Sequence, residues 1–178
     1  ATVAAAPPGL HWARYYDLAV STKTSGDYTA SARCAFGADG TLYIADATRG
    51  RWEWPEVLAI VVGQAQIDGR ACEVGIEDAG QQRGLYQMLQ REPSLRGVAL
   101  RAVPVHGDKQ IRASAWQARA EAGKVRLVLG GWNGMLLDEA CSFPQGEHDD
   151  LLDAVSGCVA MLDRTVPQSW TPTLTRYG

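Results

Sequence analysis

Three consecutive strand-like segments near the start of the chain constrain its fold more than any other feature of the sequence. Residues 11–20, 29–36 and 41–47 are rich in aromatic and apolar side chains, and each has the length of a strand. The run Gly37-Ala38-Asp39-Gly40 separates the second segment from the third, and its Asp-Gly pair is a strong hairpin signal. These segments are therefore predicted to form an antiparallel meander.

After the meander, segments with helical spacing alternate with short apolar runs. The sequence predicts helices at 55–67, 81–90, 108–122 and 149–162, and strands at 71–77, 98–105 and 125–129. This order indicates an α/β fold with a mixed sheet and helices on both faces. We expect residues 1–10 to be a linker and residues 11–178 to form a single domain, excised from a longer chain.

Composition excludes several classes of protein. The net charge of -3 means that any contact with DNA is local rather than made by a basic arm. No stretch approaches the roughly 18 apolar residues of a membrane span. The four cysteines contain no Cys-x-x-Cys pair and are predicted to be reduced, buried thiols rather than zinc ligands.

Acidic residues at the ends of predicted elements are the strongest chemical signal. Asp17 lies in the first strand, Glu77 closes the fourth, and Asp149, Asp150 and Asp153 open the last helix. If the first and fourth strands are neighbours, three of these carboxylates can converge, and their mutual repulsion is relieved by a divalent cation. Oxygen ligands favour Mg²⁺ or Mn²⁺, and two such ions about 4 Å apart can activate water and stabilise the leaving oxygen of a phosphodiester. The acids therefore predict metal-dependent phosphoryl transfer.

Motifs in a fixed order also resemble a known family. They are DLAVSTKTSGDYTA (17–30), YIAD (43–46) with RGRW (49–52), IEDAGQQ (76–82), GDKQIRA (107–113) and FPQGEHDDLLDA (143–154). Over residues 12–163 they resemble the C-terminal nuclease domain of the large terminase subunit of tailed bacteriophages. The resemblance implies an RNase H-like fold and a RuvC-like, two-metal DNA endonuclease of low sequence specificity, which cuts concatemeric viral DNA during genome packaging.

The resemblance also implies roles for the acids. Asp17 corresponds to the strand acid that bridges both metal ions, and Glu77 to the acid at the end of the fourth strand. For the third acid we favour Asp150, with Asp149 next. Asp153 lies on the same helical face as Asp150, so it is a candidate either for a ligand or for a hydrogen-bond partner of a ligand.

Further candidates lie beside these acids. His148 precedes the last helix and is a candidate neighbour of metal or substrate. Lys109 and Arg112 lie about one helical turn apart and are candidate DNA phosphate contacts, although a solvated helix face explains them equally well.

The resemblance implies particular partners and leaves other functions open. Besides two Mg²⁺ or Mn²⁺ ions in the active complex, it implies double-stranded DNA, an N-terminal ATPase domain of the same protein, the portal protein and the small terminase subunit. It implies no membrane, and it places the protein in the cytoplasm of the infected bacterial host. The alternatives are a RuvC-like junction resolvase and a catalytically silent RNase H-like module that docks onto a packaging motor.

Overall fold

A mixed sheet lies at the centre of the computed structural model, which describes residues 1–18, 28–78, 82–104 and 109–163. The strands are β1 (Thr2–Val3), β2 (Trp12–Asp17), β3 (Thr29–Phe36), β4 (Leu42–Gly50), β5 (Glu73–Glu77), β6 (Leu100–Val103) and β7 (Val125–Val128). Within the described residues they form one seven-stranded sheet in the order β1-β7-β4-β3-β2-β5-β6.

The helices follow the strands in the predicted alternation. They are α1 (Trp54–Asp68), α2 (Gln82–Arg91), α3 (Lys109–Glu121), α4 (Asn133–Ser142) and α5 (Asp150–Asp163), with a short 3₁₀ helix at Pro93–Leu95. None of the helices in the described ranges is both long and apolar enough to cross a membrane.

The predicted meander and the mixed α/β sheet are confirmed. β2 pairs antiparallel with β3, and β3 pairs antiparallel with β4. At the hairpin, the Gly37 N–H donates to the carbonyl of Thr41 at 2.8 Å, and Gly40 takes the positive φ of 77° that a glycine tolerates. The later strands then join in parallel, β5 beside β2, β6 beside β5 and β7 beside β4.

Three elements were not predicted from the sequence, one of which is the 3₁₀ helix at Pro93–Leu95. Within residues 1–10, which we expected to be a linker, Thr2 and Val3 pair in parallel with β7 and form a short edge strand. Helix α4 was missed because its apolar residues 135–137 are consecutive and do not follow helical spacing. It carries Cys141, which is exposed, so the prediction of a buried thiol is wrong there and is confirmed for the other cysteines, Cys34, Cys72 and Cys158.

Side chains alternate between the two faces of β2, and each face contacts a different apolar core. Ala13 and Tyr15 point toward one core, which includes much of α5 and also Trp116 of α3. Tyr16 belongs to the other core, together with residues of α1 and α2. Helices therefore cover both faces, as predicted.

Helix α5 packs closely against β2 at Gly157. A Cβ atom added to Gly157 would lie 2.2 Å from Cδ1 of Tyr15, so this part of the interface has no room for a side chain. The next residue, Cys158, directs its Sγ at the carbonyl of Ala13, 3.5 Å away. Because Gly157 lies over Tyr15 and Cys158 over Ala13, the start of α5 lies toward the carboxyl end of β2.

Replacing Gly157 with alanine is predicted to destabilise the protein even though alanine favours helices. Overpacking against Tyr15 costs about 1–3 kcal/mol, which outweighs the gain of about 1 kcal/mol in helix propensity. The matched control is Gly63→Ala in α1, where an added Cβ meets nothing within 4 Å and the propensity gain should appear alone. Urea unfolding measures both free energies, and equal stabilisation by the two variants would contradict the close approach.

Candidate active site

The ends of β2 and β5 bring two carboxyl groups side by side. These strands are parallel, with Tyr16 opposite Ile76, so that Asp17 and Glu77 follow together at the same edge of the sheet. The side chains of Asp17 and Glu77 lie within hydrogen-bonding reach of one another, and this contact is one cause of the raised pKa of Asp17.

The first turn of α5 adds two more acids. Asp150 and Asp153 are both buried, and their charges act on Asp17. Burial is the largest cause that raises the pKa of Asp17 well above its ordinary value, followed by the hydrogen bond and charge of Glu77, then by Asp153 and Asp150. We call Asp17, Glu77, Asp150 and Asp153 the acid cluster.

Arg112 of α3 forms an ion pair with this cluster. Its Nη2 donates to Oδ1 of Asp153 at 2.9 Å. The hydroxyl of Tyr15 lies in the same region, where burial raises its pKa and the charges of Glu77 and Asp17 raise it further, while Arg112 lowers it. Of the predicted phosphate contacts, Arg112 thus binds an acid of the cluster, and the side chain of Lys109 lies outside the described part of the chain.

The other residues of the predicted His-Asp-Asp run lie at the entrance to α5. The carbonyl of Asp149 accepts the N–H of Asp153 at 2.9 Å, which places Asp149 directly before the first turn. Nδ1 of His148 is 3.9 Å from Oδ2 of Asp150, and its ring packs edge-on against Tyr28 with the centroids 4.9 Å apart.

Glu139 of α4 is a further acid that sequence reasoning missed. It is buried, forms an ion pair with Arg49, and accepts the backbone N–H of Leu151 at 2.9 Å. Burial raises its pKa, against the opposing effect of Arg49. By binding an N–H in the first turn of α5, Glu139 fixes the helix start that carries Asp150. The only hint of Glu139 in the sequence motifs is Arg49 of RGRW, a charged residue that Glu139 pairs with in the structure. The sequence alone did not identify this partner.

The acid cluster has the donor chemistry of a Mg²⁺ or Mn²⁺ site. All its ligating atoms are carboxylate oxygens, which these cations prefer. Among the described residues, no group of three His, Cys, Asp or Glu side chains already has the spacing to enclose a metal ion. Instead, Asp17 lies against Glu77, and Asp153 is paired with Arg112. The residues fit the ion by type.

Comparison with known proteins identifies the family. Residues 14–162 match the family model described as the terminase RNase H-like domain. The chain belongs to this family. That match confirms the terminase resemblance, and the solved structures below agree with it on the RNase H-like fold. No curated protein matches the sequence.

Two solved structures share the fold of this terminase domain at low sequence identity. The large terminase nuclease of thermophilic phage G20c is 15% identical with a TM-score of 0.56, over 86% of this chain and 83% of that one. The fowlpox virus Holliday junction resolvase is 10% identical with a TM-score of 0.56, over 86% of this chain and 98% of that one.

The raised pKa of Asp17 predicts that Asp17→Asn stabilises the metal-free protein. Below the ordinary value of 3.8, Asp17 is protonated in the folded and unfolded states alike, and the variant should match the wild type. As the pH rises toward the raised value, the unfolded carboxyl loses its proton before the folded one, so the wild type loses stability and the advantage of the variant grows. Asparagine can still donate a hydrogen bond to Glu77.

Thermal melts in EDTA from pH 4 to pH 8 measure this difference, at about 2–4 °C for each kcal/mol. Asp39→Asn is the control of opposite sign. Hydrogen bonds from Thr41 and from Lys124 lower the pKa of Asp39, so losing that carboxylate should destabilise the protein at neutral pH. An Asp17→Asn variant that melts below the wild type at pH 8 would contradict the raised pKa of Asp17.

Proposed function

We propose that this chain is a divalent-metal-dependent DNA endonuclease that cuts concatemeric viral DNA during genome packaging. The observation that supports this most is the acid cluster itself, in which parallel strands and the start of α5 collect carboxylates that raise the pKa of Asp17. Buried acids held together at a cost to stability are typical of a catalytic site. Membership of the terminase RNase H-like family supports a nuclease as the class of enzyme.

The proposed metal ligands are Asp17, Glu77 and two acids from the start of α5. Asp150 remains our first choice for the third ligand, and Asp153, now preferred to Asp149, is proposed as the fourth, because the charges of Asp153 and Asp150 contribute to the raised pKa of Asp17. Asp149 contributes its backbone carbonyl to the first turn of the helix. The ions would activate the attacking water and stabilise the leaving oxygen of the phosphodiester.

The surrounding residues would hold the ligands in place. Glu139 anchors the first turn of α5 through Leu151, and Gly157 sets the distance of that helix from β2. His148 lies near Asp150 at the entrance to the helix, where it would meet either water or the DNA backbone. Lys109 stays a predicted phosphate contact.

The wider setting follows from the same proposal. Double-stranded DNA would be the substrate, and an ATPase domain of the same protein, the portal protein and the small terminase subunit would be the partners that control cutting. This assembly would work in the cytoplasm of the infected bacterium.

Nicking of supercoiled plasmid in Mn²⁺ or Mg²⁺ tests the proposal. The wild-type chain should cut with either ion and stop in EDTA, whereas Asp17→Asn, Glu77→Gln and Asp150→Asn should lose at least about 100-fold in rate. The matched control is Asp163→Asn, at the far end of α5, where the side chain is half exposed and 3.7 Å from Arg119. Cutting that survives in EDTA or in Asp17→Asn would contradict the proposed site.

The junction-resolvase alternative is favoured by a specific observation, the match over 98% of the fowlpox virus Holliday junction resolvase. The same assay separates the two functions when a four-way junction and a linear duplex of equal length compete. A resolvase would cut the junction far faster, and the packaging nuclease would cut both at similar rates. A folded wild type that cuts neither with either metal would favour the silent docking module.

A further inference from the structure

The guanidinium of Arg112 lies beside the acid cluster, where its positive charge can act as a counter-ion. Arg112 Nη2 lies 2.9 Å from Asp153 Oδ1, and the two side chains are only 22% and 10% exposed. Water screens a pair this enclosed much less than it screens a surface ion pair. The positive charge of Arg112 therefore acts strongly on the neighbouring acids.

The packing of α3 on α5 fixes Arg112 opposite Asp153. One turn farther along both helices, Trp116 Nε1 donates to the Ser156 hydroxyl at 3.1 Å, in a buried contact. Because Trp116 is itself part of the core, α3 is anchored independently of Arg112. Removing the guanidinium should therefore change the charge of the cluster without displacing the helix.

We propose that Arg112 is the internal counter-ion of the acid cluster and competes with a divalent cation for Asp153. This inference rests on the proposed function, since it takes the cluster to be a metal site. Without metal, Arg112 compensates the charge of a buried carboxylate. Asp153 would hold such an ion with the same carboxylate that Arg112 now binds, and repulsion between the two positive charges would favour opening of the ion pair. The residue thus lowers the metal affinity in return for a stable metal-free fold.

Calorimetric titration of the full chain with MnCl₂ tests this competition. Arg112→Gln should bind Mn²⁺ roughly ten-fold more tightly than the wild type, because a nearby positive charge has been removed. The same variant should melt at a lower temperature in EDTA, since the buried Asp153 loses its ion pair with Arg112. Arg112→Lys keeps the charge and should restore both values toward those of the wild type.

A second measurement leaves Arg112 in place and so does not depend on the folding of a variant. In the ¹⁵N-labelled wild type, the guanidinium resonances of Arg112 should shift as Mg²⁺ saturates the site, and in Asp153→Asn they should already differ before any metal is added. Resonances that stay unchanged through saturation would overturn the competition.

The outcomes distinguish this inference from the proposed function. If the wild type binds Mn²⁺ and Arg112→Gln binds it equally or more weakly, the counter-ion role is wrong while the metal site stands. If neither protein binds Mn²⁺ at millimolar concentration and the wild type cuts no DNA, both proposals fail.

Discussion

The parallel pairing of β2 with β5 is the constraint on which the rest of the site depends. It places Asp17 beside Glu77 at one edge of the sheet, so the two acids cannot separate without breaking the ladder. Helix α5 then delivers Asp150 and Asp153 to the same edge, because Gly157 and Tyr15 set its path across β2 and Glu139 holds its first turn. Backbone geometry thus maintains a concentration of negative charge that side-chain repulsion alone would disperse.

The opposite face of β2 shows how this protein treats a buried charge that has a structural role. Arg14 is fully buried and bonds to Asp68 at the end of α1, to Asp46 at 2.8 Å and to Ser31 at 3.1 Å. Opposite charges there compensate one another, as stable burial requires. In the acid cluster, by contrast, the carboxyl groups outnumber the guanidinium of Arg112, and burial together with the charges of Glu77, Asp153 and Asp150 raises the pKa of Asp17. This contrast, between two residues of the same strand, is a reason to propose the cluster as the functional site, because functional sites often reduce stability.

Much of the fold could be predicted because local signals agree with tertiary structure. The hairpin at Asp39-Gly40, the strand alternation and the spacing of the helices all act over a few residues. The gathering of Asp17, Glu77 and the acids of α5 needed the additional step of guessing which strands pair. The Arg49–Glu139 and Arg112–Asp153 ion pairs were missed because their partners lie 90 and 41 positions apart in the sequence. No local pattern encodes which partner a buried charge will find. For the same reason, the choice among the acids of the His-Asp-Asp run could not be made from spacing.

The central claim is that the acid cluster is a divalent-cation site held closed by its own contacts. A crystal structure of the full chain in saturating Mn²⁺, with anomalous diffraction to locate the ion, tests it most directly. We expect manganese at the ends of β2 and β5, bound by Asp17, Glu77 and carboxylates of α5, with the contact between Asp17 and Glu77 replaced by bonds to the ion. Manganese bound elsewhere, with that contact and the Arg112–Asp153 pair unchanged, would contradict the account.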